Sequence, residues 1–447
     1  MASKQHGSHD DLKRTLTFFP ALSTVMGIVI GSGVFFKAAS VAQITGTTSL
    51  HMLIWLLAGL ITIAAGLTAA ELAAAIPETG GMIKYIERAY GKLPSFLLGW
   101  AQVVIYFPAV GGALSIIFAT QFKNLFGLPD SSLVPIAIIS ILFFYGVNLL
   151  GSKVAGTFQA VGLVAKLIPL ALIVIFGLFA KNPVHVSLFP IQEGPETGGL
   201  MTALGAGLLS AMFAYDGWIH VGNVAGELKN PKRDLARAIG GGLFGVMAVY
   251  LLVNWVFLHV LPFNQLAGNE NAPMDLAHQL FGNYGGKLVT IGILISVFDT
   301  INGYTMTGMR LPYTMGLKEE LPFSDKLTKL NRNRVPYLAG LLTLVLTTVM
   351  ILLGAFETLT NMLTFVIWIF YVLVFIAVFI LRKKEPELER PYKVPFYPVV
   401  PLVAILGGTF IVIMTLFTQF QLAMIGILLT LAGIPLYYYM QKKQPQE

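Results

Sequence analysis

The sequence predicts an all-α membrane protein of twelve transmembrane helices, arranged as two inverted sets of five spans followed by two accessory spans. Three observations predict it. Apolar runs of about 20 residues, the length that crosses a hydrocarbon core, recur from end to end. The chain is 56% hydrophobic and only 11% charged, with a mean hydropathy of +0.76, against roughly 25% charged residues in a soluble protein. Finally, two spans are interrupted at membrane depth, by Gly31-Ser32-Gly33 and by Tyr215-Asp216-Gly217-Trp218. They hold corresponding places in the two halves, the pattern of an inverted repeat with a binding site at the midplane.

The spans fall at about 18–42, 50–76, 93–122, 132–151, 157–180, 198–226, 236–262, 285–316, 335–354, 358–381, 397–418 and 421–440. Basic residues orient them, because Lys and Arg collect in cytoplasmic loops. With the N-terminus inside, 23 of the 29 Lys and Arg lie on the cytoplasmic side, and four, Lys37, Lys123, Lys181 and Lys287, are assigned to outer loops. Lys166 and Arg310 remain within spans 5 and 8; Arg310, near a cytoplasmic end, reads as structural.

The predicted layout is a cytoplasmic tail (1–17), a first repeat (18–180), an extracellular loop (181–197), a second repeat (198–381), a basic cytoplasmic loop (382–396), the accessory pair (397–440) and a second cytoplasmic tail (441–447). Residues 77–92 and 227–237 read as amphipathic or capped connectors on the cytoplasmic face. The polar first 17 residues, and a subsequent apolar run too long for a signal sequence and lacking a cleavage site, argue against a cleaved leader.

Several function classes are excluded. Cysteine is absent, so there is no disulfide framework, no thiolate metal site and no covalent tether to another subunit. No zinc-protease, Walker or nucleophile-elbow motif occurs, and the seven His residues lack metal-ligand spacing. Neither an enzyme nor a cofactor is expected. The pI near 9.3 stems from the basic cytoplasmic loops and implies no nucleic-acid partner.

An interrupted helix exposes backbone groups that lipid cannot satisfy, so it persists only where it lines a cavity or a ligand. The half-helix starting near Ser32 offers unpaired N–H groups and a positive dipole end, a seat for a carboxylate. The half-helix ending near Val29, with Phe213 and Asp216 at the second interruption, offers carbonyls that suit an ammonium group. Together they match the two charged ends of an α-amino acid. Phe213 is placed to cover that site, and Trp218 to pack.

Lys166 sits near the middle of span 5, where a charge costs about 2.5–3.5 kcal/mol on insertion scales and must face the protein interior. Carbonyls freed by the span 1 interruption would receive it, and its ammonium would then occupy the place of a sodium ion in sodium-driven relatives of the fold. Asp299 is mid-span as well; it pairs with Lys166, holds a cationic substrate group or takes a proton, and sequence does not choose. Tyr215-Asp216 and Asp299 also evoke an intramembrane aspartyl protease. However, Ser296-Val297-Phe298 precedes Asp299 instead of Gly-x-Gly, and Pro20-Ala21-Leu22 lies at the wrong end of the chain.

Gly27 to Phe35 and Phe213 to Trp218 resemble the signatures of the L-amino acid transporter family, within the amino acid–polyamine–organocation superfamily. The likeness continues in Pro77-Glu78-Thr79-Gly80-Gly81, Glu227-Leu228-Lys229-Asn230-Pro231, Lys166-Leu167 and the segment Glu385 to Pro395. It spans nearly the whole chain and is greatest to bacterial members. The resemblance implies the LeuT-like fold and alternating access. It implies that Ser32 and Gly33 bind the substrate carboxylate, and that Val29, Phe213 and Asp216 receive the amino group. Phe213 would be the gating aromatic, and Lys166 the span 5 lysine that stands in for sodium. It further implies sodium-independent exchange of neutral amino acids such as serine, threonine or alanine, with proton-coupled symport, extending to cationic substrates, as the alternative. Without cysteine, no disulfide-linked heavy subunit is expected, and the chain would act as a monomer in a bacterial cytoplasmic membrane. Asp299 departs from the small residue expected there and bears on side-chain preference or proton handling.

Overall fold

The computed structural model describes residues 22, 25, 26, 29–31, 33–76, 81–180, 183–192, 194, 195, 197–219 and 231–443. Among these, helix is the only regular structure, and eight stretches are long and apolar enough to cross a membrane. The elements are α1 (Gly33–Thr45), α2 (Thr48–Ala75), α3 (Met82–Tyr90) and α4 (Lys92–Ala101). A π-helical turn, Gln102–Tyr106, carries α4 into α5 (Phe107–Phe126). Next come α6 (Leu133–Leu149), α7 (Ser152–Leu178), α8 (Leu200–Ala214), α9 (Pro231–Val260) and a short α10 (Phe263–Leu266). The chain continues through α11 (Ala272–Gly308), α12 (Arg310–Leu317), α13 (Ser324–Leu327), α14 (Tyr337–Leu353) and α15 (Phe356–Lys384), and finishes in α16 (Val399–Thr418), α17 (Phe420–Leu431) and α18 (Gly433–Lys443).

The helix ends reflect local chemistry. The Thr47 hydroxyl accepts from the Leu50 N–H at 3.3 Å and caps α2, as a side-chain oxygen does for an orphan first-turn donor. Helix α5 stops at Gly127, whose left-handed backbone (φ 64°) suits a residue without a Cβ. Helix α9 is described from Pro231 onward. Residues 231–237, expected as a connector, are therefore already helix. Helix α11 starts earlier than the expected span 8 and is kinked at Gly282 (φ 67°).

The core lies where α1 and α8 meet α2, α5, α9, α11 and α15. Helices α2 and α9 approach closely because Gly59 and Gly66, two turns apart, face Met247 and Leu243; an added Cβ would come within 2.3 and 2.4 Å of them. This is small-residue packing, which substitutes for a hydrophobic driving force in lipid. By contrast, α16 to α18 bury only a thin seam such as Ala404, Gly408 and Ile411, and expose Leu406, Phe417 and Leu428. Such a surface suits lipid.

Two sequence expectations change. Lys37, assigned to an outer loop, lies inside α1 and is fully buried, because an acid on α15 compensates its charge. The basic segment after α15 is an ordered clasp as well as an orientation signal. Arg382 donates from Nε and Nη2 to the two Glu71 carboxylate oxygens at 2.7 and 2.6 Å. The Val394 N–H reaches the same carboxylate at 2.8 Å, and Arg88 grips Glu385 through Nε at 2.9 and 3.0 Å.

Candidate functional site

The two interruptions, far apart in sequence, back onto each other. A Cβ on Gly33 would lie 2.7 Å from the Ala214 α-carbon, so only glycine allows the start of α1 to approach the end of α8 this closely. At that end the chain turns through Tyr215, Asp216 and Gly217, with Gly217 at φ 101°. Val29 and Gly33 are buried on one side, Phe213 and Asp216 on the other. Ser32 lies outside the described residues.

Carbonyls at both interruptions already have donors. The Tyr250 hydroxyl of α9 is shared between the Val29 and Ala214 carbonyls, at 2.8 Å to each. The Phe213 carbonyl accepts the Asp216 N–H at 3.3 Å. A carbonyl oxygen has two lone pairs, so Val29 keeps capacity for an incoming ammonium, whereas Phe213 also receives the Tyr215 N–H. Tyr250 is itself held among Trp55, at 5.8 Å between ring centroids, and Tyr215, at 4.8 Å. The Tyr215 hydroxyl donates to the Trp55 carbonyl at 3.0 Å. One α9 side chain thus ties the two broken helices together. Sequence reasoning missed it, since a tyrosine in an aromatic-rich apolar span carries no local mark.

The Asp216 side chain is anchored from two sides. The Tyr371 hydroxyl of α15 donates to Oδ1 at 2.9 Å, and the Tyr106 hydroxyl to Oδ2. Tyr106 closes the π turn, a local feature that recurs at functional sites. Trp218 packs against Tyr371 and Phe375, at 5.0 and 6.2 Å, as its sequence position suggested.

Lys166 and Asp299 come together. They are 6% and 1% exposed and interact electrostatically between α7 and α11. Gly162, one turn before Lys166, makes room for the acid: a Cβ there would lie 2.1 Å from the Asp299 carboxyl carbon. Residues four apart share a helix face, so the glycine and the lysine present one surface to α11. Beside this pair, Asn302 receives a 3.0 Å bond from Asn148 and gives one to the Ala155 carbonyl.

One turn beyond Gly33, the Lys37 ammonium donates to Glu357 and to the Thr360 hydroxyl, at 2.7 Å each. Ser40 donates to the other oxygen of Glu357. The Phe356 and Phe213 rings flank the ammonium at 5.1 and 5.6 Å and meet edge to face at 5.9 Å. The predicted gating aromatic is therefore part of an ionic and aromatic seam between α1, α8 and α15. Its lysine lay in view in the sequence, four residues after Gly33; its acid partner could not be read there.

Interrupted helices that pack on each other beside buried charges, within a helical membrane body, define a transport protein of the membrane. The chain belongs to the amino acid permease family, whose sequence pattern matches residues 16–440. It is 39% identical over 441 residues to the serine/threonine exchanger SteT of Bacillus subtilis, covering 98% of this chain and 99% of that protein. The human cystine/glutamate transporter is 27% identical over 96% of this chain and 85% of its own length. The rabbit large neutral amino acids transporter small subunit 2 is 28% identical over 96% and 80%.

Proposed function

We propose that this chain is a sodium-independent exchanger of neutral L-amino acids, of the serine, threonine and alanine class, working by alternating access. The observation that carries the reading is the apposition of Gly33 on Ala214. It brings a half-helix start, suited to a carboxylate, against carbonyls suited to an ammonium. Ser32 and Gly33 take the carboxylate; Val29, Phe213 and Asp216 take the amino group; Phe213 closes over the ligand. Lys166 supplies the fixed positive charge that makes sodium unnecessary, with Asp299 as its counter-charge. The similarity to a serine/threonine exchanger over the whole length supports this substrate class.

In this reading twelve spans form a five-plus-five inverted repeat with two accessory helices, both termini are cytoplasmic, and the monomer works in a bacterial cytoplasmic membrane without a disulfide-linked subunit. The Lys166–Asp299 contact also favours a second reading, proton-coupled symport, in which that pair carries the proton. Reconstitution in sodium-free liposomes separates the two. Labelled serine should enter only vesicles preloaded with unlabelled amino acid. Uptake into empty vesicles driven by a proton gradient would replace exchange with symport.

A further inference from the structure

Three acids are buried among the described residues: Glu71, Asp216 and Asp299. Glu71 is clasped by Arg382, and Asp299 faces Lys166. Asp216 lies in the second interruption itself, 7% exposed, and on the exchanger reading its side chain borders the substrate. A carboxylate in that place is a natural acceptor for an ammonium or guanidinium group.

Here phenols hold both of its oxygens. Tyr371 reaches Oδ1 from α15 at 2.9 Å, and Tyr106 reaches Oδ2 from the π turn. A π turn inserts one extra residue into the helix and rotates the side chains next to it, so the turn sets where the Tyr106 hydroxyl falls. Both tyrosines are buried, and Tyr106 packs against Tyr304 of α11 at 6.4 Å. A cationic side chain would have to displace two hydrogen bonds to a charged acceptor. It would also strip the buried Tyr371 hydroxyl of its acceptor, a costly loss, while Tyr106 keeps the neighbouring Tyr304 hydroxyl.

We propose that Tyr106 and Tyr371 set the charge class of the substrate: by occupying both oxygens of Asp216 they reserve the site for neutral side chains, and their removal opens it to cationic ones. This rests on the exchanger reading above. Without the two hydroxyls, the buried Asp216 carboxylate loses a donor at each oxygen, and arginine or ornithine can replace them. The tyrosines are positioning residues, acting on the substrate through Asp216.

The test uses the full chain in preloaded proteoliposomes, with labelled serine, ornithine and arginine. The parent should exchange serine and reject both cations. Tyr106→Phe/Tyr371→Phe should raise the ratio of arginine or ornithine to serine uptake at least tenfold, and adding Asp216→Asn should abolish that gain. A merely structural role for the tyrosines would lower all three uptakes together. If the double variant is not recovered as a monodisperse protein, the single variants are read by competition, where each should lower the arginine concentration that halves serine uptake at least threefold. No gain of cationic substrate in any variant, or a parent that already takes arginine, overturns the proposal. A parent that exchanges no amino acid overturns the exchanger reading instead.

Discussion

Glu357→Gln provides a quantitative test of the seam between α1 and α15. Lys37 is 0% exposed and the Glu357 side chain 39%, so the substitution leaves a fully buried ammonium with the Thr360 oxygen, a neutral amide and two ring faces. Removing one member of a buried pair costs about 3–5 kcal/mol, because the remaining charge is uncompensated. Solvent at Glu357 already screens part of that attraction, which places the cost near the low end, about 3 kcal/mol. At roughly 1.4 kcal/mol per decade, the closed seam would lose on the order of 100-fold in population relative to an opened one. The absence of native cysteine makes the assay clean. A single Thr364→Cys, one turn along α15 from Thr360 and buried, reports opening through its rate of labelling by a membrane-impermeant maleimide. In the orientation proposed above, the reagent is applied from outside. Glu357→Gln should accelerate labelling by up to that factor. Lys37→Met/Glu357→Gln should return most of the way to the parent rate, since no charge is then stranded. Equal labelling of parent, single and double variants, with exchange unchanged, would refute the idea that this ion pair holds the seam closed.

Tyr250→Phe keeps the ring packing but strips the shared donor from Val29 and Ala214; at about 1–3 kcal/mol for unsatisfied buried acceptors, serine KM should rise about 5- to 150-fold with normal membrane yield. Lys166→Ala should reduce exchange to near background while the purified protein stays monodisperse, and near-normal exchange would remove the lysine from the mechanism. Asp299→Asn should change the pH dependence or substrate range of exchange; a variant unchanged in both would make the acid structural. Glu320, in the loop between α12 and α13, has its carboxyl raised above the ordinary value by burial and by Glu87, against Lys318 and Lys84. Its neutral form is favoured in the fold, so that relative stabilisation is present below about 4.5 and is lost as pH rises through the raised value. Thermal midpoints should therefore show Glu320→Gln more stable than the parent at neutral pH, with the difference closing as pH falls into the carboxyl range.

The helical interruptions were legible because each is a local event. Glycine in an apolar span violates a rule that holds within one turn of helix, and Gly33, Asp216 and Gly217 announce it without any partner. Lys166 and Asp299 were legible for a similar reason, as charges at membrane depth. Their pairing was only one of several options in the sequence; the structure packs Asp299 against Gly162, one turn from Lys166. Phe213 stands next to the second interruption in the sequence itself, while the cation beside it, Lys37, was not foreseen. Lys37 was misassigned because a lysine near a span end ordinarily belongs to a loop, and only its neighbours tell otherwise. Residues 231–237 were read as part of an amphipathic or capped connector, and the structure shows them helical and continuous with α9.

By itself the sequence determined the membrane-helical class, the places where helices break and the family, since hydropathy, charge placement and motif order are written along the chain. Tertiary structure alone decided which polar groups meet. Glu357 reaches Lys37 across 320 residues, Tyr250 reaches Val29 across 221, and Tyr371 reaches Asp216 across 155. A buried charge or carbonyl must find a partner wherever packing brings one. Which residue that is depends on how helices stack in three dimensions, a relation that no local pattern of side chains encodes.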